Sequence, residues 1–395
     1  MTDAFDPTSV TANWGFPNRI LVGPGRLSEL AAECSDLGIN NPLLVTDPGL
    51  RELEPVTNAM RIIRDAGMQV ALFADVDGNP LDSNVDAGVQ AYRNGGHDGI
   101  IAIGGGSALD VGKAIALMQG QDLPIWDFED IGDYWKRANA DAIAPVVAIP
   151  TTAGTGSEVG RASVITNTET HRKVIIFHPQ MLPKAVILDP EVTVGLPAGL
   201  TAATGMDAFV HCFEAWCAPG FHPMADGIAL EGMRLVAEAL PKVYADGSDL
   251  EARAKMLAAA SMGAVAFQKG LGGVHAIAHP VGARFGTHHG LTNAVILPYM
   301  MVCNRPQIED RMAPIARALG LAQESFDAVL DWVLAFRQAL GIPHTLSELD
   351  VNGNDATRIG ELAAVDPPAA SNPRVLTAEE YGSVFAAAVK GELQR

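Results

Sequence analysis

An aspartate and a histidine lie four residues apart in the segment 201–215, at Asp207 and His211. The segment has no proline, and its one glycine lies near its start, so it can form a helix. Residues i and i+4 of a helix share one face, so both side chains can reach one ion. Their neighbours Phe209 and Phe213 are apolar, and ionisable groups in apolar surroundings are costly unless paired or ligated. We therefore take this segment as the one around which the chain is organised.

Further histidines have the same spacing. His275 and His279 are again four residues apart, and His288 and His289 follow shortly afterwards. Five of the ten histidines thus lie in or next to segments with the spacing of a metal site. A single Asp-x-x-x-His pair is more often a surface pair or a core histidine with a satisfied hydrogen bond. Two pairs with apolar neighbours favour a buried site for a divalent transition metal, above all iron or zinc.

The composition argues against several classes of protein. The chain of 395 residues is long enough for two domains, and its net charge of −19 argues against nucleic acids and anionic membrane surfaces as partners. No apolar run approaches a membrane span, and the N-terminus lacks the basic and apolar regions of a signal peptide. The four cysteines form no Cys-x-x-Cys motif, which argues against a disulfide framework. We therefore expect a cytoplasmic protein.

Strands and helices alternate in the first part of the chain, and helical patterns dominate the rest. Apolar strands are predicted at 19–22, 42–46, 69–73, 99–103, 145–149 and 185–188, and helices between them at 27–37, 56–66 and 84–93. A hairpin is predicted from the runs 163–166 and 173–177. Later helices are predicted at 225–240, 250–267, 307–319 and 326–340. The pattern predicts an α/β domain with a parallel sheet at residues 1–193 and an all-α domain at residues 194–395.

Two loops rich in glycine and small polar residues follow predicted strands. The run Gly104-Gly105-Gly106-Ser107 leads from a strand into a helix, where backbone amides and the helix N-terminus can hold a phosphate. A glycine run of this kind is often only a tight turn. The second loop, 150–158, offers three threonines and a serine as small donors. Two such loops on one sheet favour a nucleotide crevice.

Asp47 follows the second predicted strand. An acidic residue in this place can accept hydrogen bonds from the adenosine ribose hydroxyls. The sequence Asp-Pro-Gly is also a good turn in its own right, so the residues alone leave both interpretations open.

Taken together, these motifs resemble the iron-containing (group III) alcohol dehydrogenase family over nearly the whole chain. The residues that carry the resemblance are Gly104 to Ser107 with Asp110 and Lys113, Pro150 to Glu158, Gly205 to Ala208 with His211 and Glu214, Gly273 with His275, His279 and Pro280, His289 with Gly290, and Asn372 to Arg374.

The resemblance implies roles in metal binding, catalysis and cofactor binding. It implies that one divalent ion is held by Asp207, His211, His275 and His289. It implies that His279 is a catalytic residue, which lies beside the nicotinamide and passes a proton. It implies that the cofactor is bound by Asp47, Asn79, Gly105, Gly106, Ser107, Thr151, Thr152, Thr155 and Lys173.

The function that the resemblance implies is hydride transfer between NAD(H) and a small alcohol or aldehyde, with Fe²⁺ as the metal and Zn²⁺ as the alternative. It also implies a homodimer or larger homo-oligomer. One rival interpretation is polyol oxidation with zinc, as in glycerol dehydrogenases. Another is a lyase similar to dehydroquinate synthase, which should need several basic residues near the metal helices. Between residues 272 and 304, the segment that holds the later histidines, Arg284 is the only lysine or arginine. A binding protein without turnover is the third alternative.

Overall fold

The computed structural model describes residues 18–170 and 172–395. Residues 1–18, which the sequence predicts to form an arm with little periodicity, lie outside the described residues except for Asn18. The contacts between residues divide the chain into two compact units. The first unit contains residues 18–201 and 242–261, and the second contains residues 202–241 and 262–395. The domain boundary at 193/194 stays a prediction.

The first unit is built on a parallel sheet, as predicted. Its strands are β1 (Arg19–Val22), β2 (Pro42–Val45), β3 (Ala71–Phe73), β4 (Gly99–Gly104), β5 (Val146–Pro150) and β8 (Ala185–Leu188). They lie in the order β1-β8-β5-β4-β2-β3, and each neighbouring pair is parallel. The remaining strands, β6 (Ala162–Asn167) and β7 (Arg172–Phe177), form an antiparallel pair, which confirms the predicted hairpin.

The central strands are apolar throughout because both faces of the sheet are covered. In β4, Ile100 and Ala102 belong to the core on one face, together with residues of β2, β5 and β8. Ile101 and Ile103 point the other way and belong to the core on the opposite face. Alternate residues of a strand point to opposite sides, so a strand buried on both sides reads as a continuous apolar run.

Four helices connect the strands of this unit. They are α1 (Leu30–Asp36), α2 (Glu54–Asp65), α3 (Asp82–Gly95) and α4 (Gly106–Met118). The predicted helix at 27–37 is in fact two elements, because a short 3₁₀ helix at Arg26–Glu29 precedes α1. The strand predicted from residue 69 begins only at Ala71.

The second half of the chain is helical. Its helices are α5 (Ala198–Cys217), α6 (Pro223–Ala245), α7 (Leu250–Ala266), α8 (Gly273–Phe285), α9 (His289–Ile308), α10 (Met312–Ala318), α11 (Phe326–Ala339), α12 (Ala356–Ala364) and α13 (Ala378–Lys390). The prediction of one helix at 307–319 is wrong, because α9 continues to Ile308 and α10 begins at Met312. Pro298 and Pro306 lie inside α9, and prolines of this kind obscure a helix in the sequence.

Among the described residues, none of the helices combines the length and apolar character that crossing a bilayer requires.

Candidate active site

The strand order of the first unit reverses in the way that is typical of nucleotide-binding sheets. From β2 the chain goes to β3 on one side and then returns to β4 on the other side. Open α/β sheets bind ligands at the carboxyl ends of the strands where the winding reverses in this way. Asp47 follows β2, Gly104 ends β4, and Thr151 follows β5, so all three lie at that edge.

The glycines at this edge allow close contacts that a side chain would prevent. Gly104 has a φ of 150°, and a Cβ atom there would lie 2.7 Å from Cβ of Ala108. A Cβ on Gly106 would lie 2.6 Å from the Thr155 side chain, whereas one on Gly105 would make only ordinary contact with Thr152, at 3.6 Å. The structure thus brings the predicted glycines and threonines together at the N-terminus of α4, where free amides can face an anion.

The other predicted cofactor residues lie on segments joined to this turn. The hydroxyl of Ser107 donates to the carbonyl of Gly78, 2.8 Å away, next to Asn79. The amide of Thr166 donates to the carbonyl of Pro80 at 2.7 Å. Lys173 is the partner of Thr166 across the hairpin. Ser107 lies inside α4, and no side chain caps the start of this helix.

Asp47 fits both interpretations of its sequence. Its Oδ1 atom accepts from the amides of Gly49 and Leu50, at 2.9 and 3.1 Å, and so forms the Asp-Pro-Gly turn. Its Oδ2 atom faces the backbone of Gly104. The nearby Arg51 pairs with Glu52 at 3.2 Å. One oxygen therefore builds the turn, and the other is directed toward the glycine run.

The second unit holds a cluster of one aspartate and three histidines. Asp207 and His211 lie one turn apart on α5, His275 lies in the first turn of α8, and His289 is the first residue of α9. One ligand atom from each lies within 4.8 Å of the others. The Oδ1 atom of Asp207 is 3.9 Å from Nε2 of His211, 3.9 Å from that of His275 and 3.8 Å from that of His289.

These atoms fit a divalent ion. A tetrahedron with ligands about 2.0–2.2 Å from the ion has edges of about 3.3–3.6 Å. The observed distances of 3.8–3.9 Å are slightly longer, so only small shifts would close the cluster on an ion. Asp207, His211 and His275 are buried, whereas the His289 side chain is 28% exposed. The cluster therefore opens to solvent on the side of His289.

The cluster keeps its carboxylate ionised. Burial alone would raise the pKa of Asp207, but the three imidazoles and a hydrogen bond from Asn293 hold that pKa well below its usual value. The amide Nδ2 of Asn293 lies 2.7 Å from Oδ1 of Asp207. An ionised carboxylate at neutral pH is the form that a metal requires.

Glu214 fixes the orientation of His275. Its Oε2 atom lies 2.6 Å from Nδ1 of the histidine, and its Oε1 atom accepts from the amide of Val274 at 2.7 Å. Burial lowers the pKa of His275, but Glu214 and Asp207 outweigh that effect, so the pKa is raised overall. Because Nδ1 donates to Glu214, the neutral ring has its lone pair on Nε2, the atom in the cluster.

The first turn of α8 is capped by residues distant in sequence. Gly272, before the helix, has no side chain to cap it, and a Cβ there would lie 2.9 Å from Oε1 of Glu214. Oδ1 of Asn372 accepts from the amide of Gly273 at 2.9 Å. Glu214 and Asn372 thus satisfy two amides that would otherwise lack partners. This gives a structural role to the late Asn-Pro-Arg segment.

His279 lies outside the four-residue cluster. Its Nδ1 atom is 3.0 Å from Oδ1 of Asp366, and its ring stacks on that of His289 with 5.5 Å between centroids. His279 therefore lies on the side where the cluster is open. His288 instead accepts from the amide of Leu291 at the start of α9, so the cluster contains His289 and not its neighbour.

Sequence reasoning did not assign roles to Asn293, Asp366 or Glu214. Asn293 follows His289 by four residues, so the same spacing rule that paired Asp207 with His211 could have found it. Asp366 is 87 residues from His279 and has no such signal.

Comparison with known proteins shows the family of this chain. The family model of the iron-containing alcohol dehydrogenases matches residues 17–190, and the model of the C-terminal part of the Fe-containing alcohol dehydrogenase family matches residues 201–389. The chain is 39% identical to a 4-hydroxybutyrate dehydrogenase of Cupriavidus necator, over 90% of this chain and 94% of that protein. It is 37% identical to a 1,3-propanediol dehydrogenase of Klebsiella pneumoniae, over 93% of this chain and 96% of that protein.

A solved structure agrees with the sequence comparison. The crystal structure of a 1,3-propanediol oxidoreductase superposes with a TM-score of 0.90 and 36% identity, over 95% of this chain and 99% of the other. The resemblance inferred from the motifs is therefore confirmed. The chain belongs to the iron-containing alcohol dehydrogenase family and is an oxidoreductase of the alcohol dehydrogenase type.

Proposed function

We propose that the protein interconverts a small primary alcohol and its aldehyde with NAD(H), at one divalent metal ion held by Asp207, His211, His275 and His289. The observation that carries this proposal is the position of Asp207, whose Oδ1 atom faces three imidazole nitrogens at 3.8–3.9 Å. Iron is proposed as the metal because of the family, and zinc is the alternative because it suits the same ligands.

The metal would favour the ionised form of an alcohol and, in the reverse direction, polarise a carbonyl group. The four side chains have a total charge of −1 when the imidazoles are neutral. Because Nδ1 of His275 donates to Glu214, the lone pair of the neutral ring lies on Nε2, which faces the cluster. The exposed side of His289 is the direction from which a small substrate can approach.

The proton of the alcohol also needs an acceptor. We assign this role to His279, which lies beside His289 on the open side of the cluster. The carboxylate of Asp366 accepts from Nδ1 of His279, which leaves Nε2 to take up or release the proton. Asp366 is thus a positioning residue for His279.

The cofactor is proposed to bind at the carboxyl edge of the sheet. The amides around Gly105 and Gly106, at the start of α4, would hold the pyrophosphate. Asp47 would accept hydrogen bonds from the ribose hydroxyls and exclude a 2′-phosphate, because two negative groups would then face each other. Arg51, the nearest basic residue, is exposed and pairs with Glu52 at 3.2 Å. NAD(H) is therefore proposed over NADP(H).

The class of substrate is proposed from the relatives. The relatives include a 4-hydroxybutyrate dehydrogenase, 1,3-propanediol dehydrogenases and an NAD-dependent methanol dehydrogenase, and the substrates that these names give are primary alcohols. Polyol oxidation with zinc stays the alternative function. A homodimer or larger oligomer and a cytoplasmic location stay predictions.

The test is an NADH-consumption screen over small aldehydes and ketones with the iron-loaded protein. We expect turnover with at least one short aldehyde, and turnover with the zinc-loaded protein would identify the alternative metal. Metal-free protein is the control. Absence of turnover with every aldehyde and ketone, in protein that holds stoichiometric metal, would contradict the proposed function and favour a binding protein.

A further inference from the structure

Asn293 lies against three of the four cluster residues. It lies on α9 one turn after His289 and is fully buried. Its Nδ2 atom is 2.7 Å from Oδ1 of Asp207, 3.1 Å from Nε2 of His275 and 3.1 Å from Nε2 of His289. The amide therefore covers the face of the cluster that these three residues form.

The chemistry of the contacts fixes which end of the amide points inward. A carboxylate oxygen accepts from an amide NH₂ group, and Nε2 of a neutral His275 is also an acceptor because Nδ1 donates to Glu214. An amide turned the other way would place its oxygen against a carboxylate oxygen. The Oδ1 atom of Asn293 has no hydrogen-bond partner among the described residues, so it does not hold the amide in another orientation.

The three contacts are not equivalent. The NH₂ group has two hydrogens for three acceptors, so the cluster offers more lone pairs than Asn293 can satisfy. A metal ion would use the single lone pair of each imidazole Nε2 atom. The carboxylate oxygen has further lone pairs, and its contact is the shortest at 2.7 Å. The bond to Asp207 is therefore the one compatible with a bound metal.

We propose that Asn293 is a positioning residue of the metal site, which holds Oδ1 of Asp207 among the three histidines and closes one face of the cluster to water. This inference rests on the proposed function, because it requires that the cluster bind a metal. Partners of metal ligands commonly change metal affinity by about 10–100-fold when they are removed. We therefore expect Asn293→Leu, which has no donor, to bind metal about 10–100-fold more weakly.

The matched control is Thr292→Val. Thr292 is equally buried and lies next to Asn293 on α9, but its hydroxyl bonds to Thr287 and to the carbonyl of His288 instead of the cluster. Zn²⁺ affinity of the metal-free proteins is measured by competition with a chromophoric chelator. Tight binding by the parent and by Thr292→Val, with weaker binding by Asn293→Leu, is the expected result.

This experiment distinguishes a failure of the proposed function from a failure of the role proposed for Asn293. A parent protein that binds no Zn²⁺ or Fe²⁺ would contradict the proposed function itself. A parent that binds metal while Asn293→Leu binds it equally well would overturn the role of Asn293 alone.

A second variant tests the orientation of the amide even where Asn293→Leu does not fold. Asn293→Asp has nearly the same shape but places a second carboxylate against Asp207. We expect the Tm of metal-free Asn293→Asp to fall below that of the parent, and Zn²⁺ to reduce the difference. Equal Tm values for the two metal-free proteins would show that the nitrogen of Asn293 does not face Asp207.

Discussion

Replacing Glu214 by glutamine tests whether a residue outside the cluster sets the metal affinity of the cluster. The buried carboxylate accepts from Nδ1 of His275 at 2.6 Å and from the amide of Val274 at 2.7 Å. Glutamine has only one oxygen, so one of these two donors must face an NH₂ group. If that donor is His275, the ring must move its proton to Nε2, the atom that should bind the metal.

The expected effect follows from the bonds that are lost. A hydrogen bond to a charged group contributes about 1.5–3 kcal/mol, and about 1.4 kcal/mol is a factor of ten in affinity. We therefore expect Glu214→Gln to bind metal about 10–100-fold more weakly. The protein should also unfold more easily, because the start of α8 loses a partner.

The assay is chelator competition with Zn²⁺, together with thermal unfolding of the metal-free protein. Glu231→Gln is the control, because Glu231 is 47% exposed and pairs with Arg234 instead of a cluster residue. The control should match the parent in metal affinity. Parent-like affinity in Glu214→Gln would refute the reasoning that Glu214 sets the tautomer of His275.

Three other predictions concern glycine packing, pH dependence and cofactor choice. In Gly290→Ala the new Cβ would lie 2.4 Å from the carbonyl oxygen of Ala203. We therefore expect thermal unfolding to show a free energy of unfolding lower by about 1–3 kcal/mol. Gly227 lies on an exposed part of α6, and a Cβ there would have no atom within 4 Å. We therefore expect Gly227→Ala to raise the free energy of unfolding by up to about 1 kcal/mol. Burial raises the pKa of Glu158, so the folded state binds its proton more tightly and stability should fall as pH rises from the ordinary pKa toward the raised one. The Glu158→Gln variant should lack this pH-dependent part of the free energy of unfolding. Identical pH profiles of unfolding for the variant and the parent would contradict this prediction. Asp47→Gly should lose most of the parent's preference for NAD over NADP in kcat/KM, and equal use of both cofactors by the parent would remove Asp47 from this role.

The sequence predicted those parts of the fold and site that depend on local spacing. The apolar strands were predictable because a strand such as β4 is buried on both faces, and Asp207 and His211 were predictable because helical spacing places them together. The end of α9 and the start of α10 were not predictable, because Pro298 and Pro306 lie inside α9 and proline normally interrupts a helical pattern.

The support around the site depends on contacts between distant residues. The bond between Glu214 and His275 spans 61 residues, and that between Asp366 and His279 spans 87. No periodicity connects such residues, so only the folded chain reveals them. Asn372 is a similar case, because its bond to the amide of Gly273 joins segments 99 residues apart.

The central claim is that one metal ion is held by the four cluster residues and that His279 acts beside it. Metal content per chain, measured for the parent, His275→Ala, His279→Ala and His97→Ala, tests it directly. His97 is the control because its ring lies 2.9 Å from the carbonyl of Asn41 in the first unit. We predict one metal per chain in the parent, in His97→Ala and in His279→Ala, with turnover reduced in His279→Ala, and little metal in His275→Ala. Full metal content with normal turnover in His275→Ala, or loss of metal from His279→Ala, would contradict the assignment.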